Sequence, residues 1–366
     1  MFNNKVILNK STILYIISII TFLLFNEIFY YLYYIDIMTY NTIGTSDLVN
    51  LHDHIIYLQY IRFIAEGQSL FVFGNNFGIA SIYYVLGNIF DTTNYNMLSH
   101  YLNNLVYIFI SIYVFKVFKL LKIPLILSIF FIFNPVNFYY LGLISKDSFT
   151  ILIVLMFVYY LIKKEYYLFI LLVLFSIIIR MQLPLFGLSL FFLVYYTNIS
   201  NKKKIIFIYI ISSIAAVLLT NTINIISEES MNTSLGIGIT TIVQSLNKEY
   251  YIGSFLLNPI KIVQYFYDYS LAYKYIFSPD LFYFYRIKEF VNLIFLPISI
   301  FSIFIYLFFN NKNIDYGIQI FLLVIVSFFT VWLINPTVNY RYIGVFMPYI
   351  LVSGLYLTQK LFRSKN

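Results

Sequence analysis

Apolar runs of about twenty residues, separated by short polar clusters, recur along most of this chain. At about 1.5 Å of rise per residue, such a run matches the hydrocarbon thickness of a bilayer. A backbone inside lipid must also satisfy its own hydrogen bonds, which restricts the fold to helices packed side by side. The totals agree: 61% of the residues are hydrophobic, 10% are charged and mean hydropathy is +0.85. Soluble domains do not reach these values. The expected fold class is all-α: a polytopic membrane protein of about ten transmembrane helices, with two sizeable external loops that contain short interfacial helices.

The charges orient these spans. Lys5 and Lys10 place the N-terminus in the cytoplasm by the positive-inside rule. The spans are then expected at about 11–35, 98–117, 123–143, 148–162, 166–180, 182–197, 205–226, 287–309, 317–334 and 343–360. The apolar segment 77–90 is short, and counting it as a span turns Lys116, Lys119 and Lys122 outward. It therefore reads as a re-entrant or interfacial helix. With this assignment the cytoplasmic turns are short and basic, with Glu165 and Asp315 as their acids. Most carboxylates fall in external loops at about 36–97 and 227–285, so chemistry is expected on the outer face. Both termini are expected inside. The run Ile13–Ile35 is too long for a signal-peptide core and reads as a signal anchor. Residues 1–366 form one integral membrane domain in this reading, without a visible internal repeat. The net charge of +8 comes from clusters between spans and does not point to nucleic acid, and zero Cys excludes disulfides, thiolate metal sites and cysteine nucleophiles.

Some residues break the apolar pattern. Lys146 and Asp147 stand between two apolar runs, after Asn134-Pro135, at a turn expected outside. A charge at the centre of a bilayer costs about 2.5–3.5 kcal/mol on insertion scales, falling toward the interface, and a turn needing only polarity has cheaper residues available. Arg180 and Arg341 sit at similar expected depths, Arg341 beside Tyr340. Two readings are open for these three basic residues: convergence on an anion such as phosphate, which suits guanidinium forks and an ammonium, or ordinary snorkelling to the interface. In the first external loop, residues 51–66 read as an amphipathic interfacial helix, with Asp47 near its start and Gly67 as its stop. Asp53, between His52 and His54, is either a general base or metal ligand or part of a solvated helix face; three consecutive helical residues cannot easily converge on one ion. The second loop carries lysines including Lys261, and Tyr265, Tyr267, Tyr269, Tyr273 and Tyr275, which read as an interfacial belt or a sugar-stacking surface.

Four stretches together resemble the GT-C type membrane glycosyltransferases and the O-antigen (Wzy-type) polymerases. They are Asp53-His-Ile-Ile-Tyr57 through Ala65-Glu-Gly67; Gly78–Phe90 with Leu98–Leu121; Asn134-Pro135 through Ser145-Lys-Asp-Ser148 with Arg180; and Asn339-Tyr-Arg through Pro348. The resemblance implies a GT-C-like fold in the bacterial inner membrane and transfer of sugar from a polyprenyl-linked donor on its outer face. Asp53 or Asp47 would be the catalytic acid residue that orients or deprotonates the acceptor hydroxyl. Lys146, Arg180 and Arg341 would hold the donor phosphate, supported by Asp147, His54 and Tyr340. The expected partners are polyprenyl-linked oligosaccharides, the lipid bilayer and a chain-length regulator. No cofactor is expected: the first loop lacks an adjacent acidic pair, which argues against metal dependence, and a divalent metal is kept as an open alternative. The activity implied is polymerisation of lipid-linked repeat units. A GT-C enzyme using a polyprenyl-phosphate monosaccharide and a lipid-linked oligosaccharide flippase are the alternatives.

Overall fold

The structure is a computed structural model that describes residues 9–31, 52–67, 76–134, 137, 143–196, 202–218, 239–270, 283–309, 314–334 and 340–363. Among these residues it is all-helical. Three helices are long and apolar enough to cross a membrane, Lys10–Ile28, Tyr95–Leu121 and Tyr342–Arg363, and several shorter apolar helices accompany them. The chain divides into two compact units, Met1–Pro184 and Leu185–Asn366.

In the first unit the helices are α1 (Lys10–Phe29), α2 (His52–Ala65), α3 (Phe77–Ile89), α4 (Tyr95–Leu121), α5 (Asp147–Lys163) and α6 (Tyr166–Ile179). Helix α4 is about 40 Å long at the usual rise. It packs along α5, while α2 packs on α3 and α3 on α6. Gly67, the expected stop for α2, has φ +67°, and its N–H donates to the Ile64 carbonyl at 3.1 Å. A side chain is strained in that conformation, which is why glycine ends the helix. The segment expected as a short interfacial or re-entrant helix is α3, which presses Ile79, Ala80 and Tyr83 inward.

The expected span at 123–143 is not a continuous helix and needs correction. Helix α4 stops at Leu121, Lys122 turns left-handed with φ +55°, and Pro124 keeps Ile123 out of helical geometry. Two short helical turns follow, Leu125–Ser128 and Ile129–Ile132, and the helix ends at Phe133. Pro135 explains this ending. A proline lacks an N–H and cannot continue a helix. The Phe131 carbonyl takes the Asn134 N–H at 3.4 Å and the Asn137 side-chain amide at 3.3 Å.

In the second unit the helices are α7 (Gln182–Tyr196, which begins in the last residues of the first), α8 (Lys202–Leu218), α9 (Ile239–Tyr250), α10 (Gly253–Ser270), α11 (Tyr283–Phe309), α12 (Tyr316–Trp332) and α13 (Tyr340–Arg363). Trp332 centres its core, with Phe186 at 6.2 Å, Phe328 at 5.0 Å and Phe346 at 5.4 Å between ring centroids. Helices α11 and α13 cross closely enough that a Cβ on Gly354 would sit 2.2 Å from the Ser299 Cα. Asp315 and Lys360, both expected on the cytoplasmic side, meet at 2.7 Å.

Candidate functional site

The turn that begins α5 is the centre of a polar cluster in the first unit. Asp147 is the first residue of α5, where its carboxylate faces the positive end of the helix dipole. Its N–H donates to Ser145 Oγ at 3.1 Å, and the Ser145 hydroxyl donates back to Asp147 Oδ2 at 3.4 Å. The other carboxylate oxygen, Oδ1, accepts from Arg180 Nη2 at 2.6 Å. Arg180 leaves helical geometry at the end of α6, with φ −163°. Its N–H closes α6 on Ser176, and its carbonyl accepts the Leu183 N–H at 3.0 Å as α7 begins. A cation at a helix C-terminus thus meets an anion at a helix N-terminus, each on the side its dipole favours.

The turn is buried: Lys146 is 8% exposed, Asp147 0% and Arg180 2%. Asp147 pairs with Arg180 from another helix, and Lys146 Nζ donates to Asn76 Oδ1 at 2.9 Å, just before α3. Backbone direction explains the split, because a turn entering a helix sends adjacent side chains to different sides.

His54 joins the same segment from α2. Its Nδ1 accepts the Ile144 N–H at 3.0 Å, so its Nε2 carries the proton and donates to Asn96 Oδ1 at 2.8 Å. Both ring nitrogens are engaged, which leaves His54 neither a general base nor a metal ligand in this state. Burial pushes its imidazole down to about 4 against the opposing Asn96 hydrogen bond. Asn103 of α4 completes the frame by donating to the Leu143 carbonyl at 2.9 Å.

Lys146, Asp147, Arg180 and His54 are therefore brought together. Asp53 lies in the first turn of α2, and Tyr340 and Arg341 in the first turn of α13, but their side chains fall outside the described part of the structure, as does Asp47 altogether. Among the described residues, no group of three His, Asp or Glu is placed to hold a metal ion.

Three sets of residues are not among the expected site residues. Asn76, Asn96 and Asn103 tie the cluster to the start of α3 and to α4. Between α1 and α4, Glu27 Oε1 accepts from His100 Nε2 and Asn104 Nδ2, both at 3.0 Å, and Asn26 bonds Asn104. In the second unit, Lys261 of α10 is fully buried and donates to Asn258 Oδ1 at 3.1 Å and the Leu333 carbonyl at 2.8 Å. Burial pushes the Lys261 amine down to about 7. Tyr265, one turn further along, packs on Phe328 and Phe329, so it is core rather than belt or sugar platform. The readable signal was polar residues inside apolar stretches, above all Glu27, His100 and the Asn103-Asn104 pair.

Chemically, the α5 cluster concentrates two cations and one anion among apolar helices. The Asn76 amide oxygen on Lys146 is a neutral acceptor that a phosphate oxygen can replace. Arg180 is occupied by Asp147, so an anion there must share or displace that carboxylate. Comparison of the chain with protein-family models, with curated proteins and with solved structures gave no match.

Proposed function

We propose that this protein is a membrane glycosyltransferase that polymerises polyprenyl-diphosphate-linked repeat units into O-antigen or capsular polysaccharide at the outer face of the inner membrane. One observation carries the reading: Lys146 and Arg180 are buried in one polar cluster at the ends of apolar helices, and the helix of the first loop is bonded to the same segment through His54. A lipid-linked diphosphate has its charge where such helix ends lie, and preorganised cations stabilise it as a leaving group. Lys146 contacts the phosphate, and Arg180, held by Asp147, fixes the turn and adds field. A chain-length regulator is a fitting partner, and a GT-C transferase using a polyprenyl-phosphate monosaccharide would need the same cations.

A second reading, a lipid-linked oligosaccharide flippase, is favoured by Glu27 bonded to His100 between apolar helices and by the buried Lys261. Ionisable groups in such positions are common in transporters.

Deletion separates these readings on a lipopolysaccharide gel. A polymerase deletion leaves lipid A core capped with a single repeat unit, and restoring the gene with Lys146→Gln keeps that single-repeat band while protein remains in the membrane. A monosaccharide transferase deletion leaves every repeat lacking one sugar. A flippase deletion traps the complete unit on the cytoplasmic side. An unchanged ladder after deletion overturns all three, and a full ladder with Lys146→Gln removes the phosphate contact.

A further inference from the structure

We infer that Glu27 and His100 form a proton-binding pair that exchanges with the lipid-facing surface of the protein. Glu27 lies near the end of α1 beside Leu24 and Tyr31, its i−3 and i+4 neighbours. Those two side chains are each more than half exposed, and the Glu27 side chain itself is 40% exposed. A carboxylate on such a face meets hydrocarbon or the membrane boundary, where the charged form is disfavoured unless it is paired.

The protein supplies the pairing from α4. His100 is fully buried, stacked on the Tyr30 ring at 3.9 Å between centroids, and donates from Nε2 to Glu27 Oε1 at 3.0 Å. Asn104, one turn along α4, donates to the same oxygen, and Asn26 fixes Asn104. With its proton on Nε2, His100 presents a bare Nδ1, and among the described residues this buried atom has no hydrogen-bond partner. A lone pair sequestered in that way is an unusual thing to keep in a protein interior. It gives the pair a place for one more proton.

The proton count is simple. With Glu27 ionised, the pair holds one proton, on Nε2, and one negative charge, on the carboxylate. A second proton comes to rest either on Nδ1, giving imidazolium and carboxylate, or on the carboxyl, which then donates to Nε2 while the ring proton sits on Nδ1. Either way the pair becomes neutral overall. Among the described residues, the other titratable groups around it are Tyr30 and Tyr31 on α1 and Tyr101 on α4. The short helical turns over 125–132, which pack against α1 as well, carry no titratable side chain. The pair's neighbour on α4, Asn103, bonds the Leu143 carbonyl, three residues ahead of Lys146.

This predicts carbodiimide chemistry, because carbodiimides modify protonated carboxyls and apolar ones reach them through lipid. Purified full-length protein in lipid nanodiscs is treated with N,N′-dicyclohexylcarbodiimide across pH 5 to 9, and adducts are mapped by mass spectrometry. The expected result is an adduct on Glu27 that declines as pH rises, is absent from Glu27→Gln and is much weaker with a water-soluble carbodiimide. In His100→Phe, which keeps the ring stack but removes the donor and the basic nitrogen, labelling should persist at least one pH unit higher. Circular dichroism of each variant verifies the helical fold. No Glu27 adduct at any pH overturns the site, and an identical pH profile in His100→Phe overturns the pairing. Equal labelling by the water-soluble reagent overturns the lipid-facing access. None of these outcomes depends on whether the protein handles glycans.

Discussion

Asp147 and Arg180 meet at 2.6 Å with both side chains out of solvent, and at that burial each needs the other. Removing one partner of a buried pair leaves an uncompensated charge, typically at a cost of about 3–5 kcal/mol. Asp147→Asn should therefore lower the melting temperature in detergent sharply, and Asp147→Asn with Arg180→Met should recover part of the loss. Equal stability of the single variant and the parent would show that the pair is not what holds this corner. His54 makes a different demand, because its job requires the neutral ring. An ordinary histidine takes up a proton near 6.5, and this one only near 4. The unfolded chain thus binds the proton first as pH falls. The stabilising contribution is complete above about pH 6.5 and is lost progressively toward pH 4, on the order of 3 kcal/mol in total. His54→Leu, which loses the acceptor for Ile144 but cannot be protonated, should differ most from the parent at neutral pH. The gap should narrow as pH drops from 6.5 to 4.5 in fluorescence-detected thermal unfolding. A constant gap would contradict the neutral ring. The sequence pointed to Lys146, Arg180 and His54 by their chemistry, but not to Asn76, Asn96 or Asn103. A neutral amide in an apolar helix disturbs a hydropathy pattern too little to announce itself, although once buried it must still find a partner.

Between elements, close approach decides what the sequence tolerates. Helix α3 runs so near α6 that a Cβ on Gly78 would fall 1.8 Å from the Ile178 carbonyl oxygen. Backbone cannot yield as a side-chain tip does, so Gly78→Ala must push the helices apart, at a cost of about 1–3 kcal/mol or more. Size-exclusion profiles of detergent-solubilised protein should show less folded material than the parent, and a Gly78→Ala protein with the parent's melting temperature would refute the contact. The displaced element would be the one preceded by Asn76, so contact with Lys146 suffers too. Helix boundaries were largely legible, since α2, α3 and α5 fall where apolar period, Gly67 and the basic turns place them. The run 123–143 was not, because its composition is mostly apolar while Pro124 and Pro135 forbid an unbroken helix. Hydropathy measures a segment's affinity for lipid and carries no information on whether its backbone can continue.

For the whole molecule, function hangs on what the two units are for, and the gel of lipid-linked products reads that directly. Its single-repeat band, shortened repeat or trapped unit is a property of the intact protein in its membrane, which no isolated contact can report. The amino-acid pattern alone determined that the chain is helical and apolar enough for a bilayer, because lipid leaves an exposed backbone no alternative. It also picked out Lys146 and Arg180 as expensive residues in their setting. Only the tertiary structure decided their partners: Arg180 with Asp147, Lys146 with Asn76, His54 with the backbone of Ile144, and Glu27 with His100. Periodicity fixes which face of a helix a side chain occupies. Which helix end abuts that face is set by packing between segments far apart in sequence, and the energies that choose among such pairings are invisible until the helices meet.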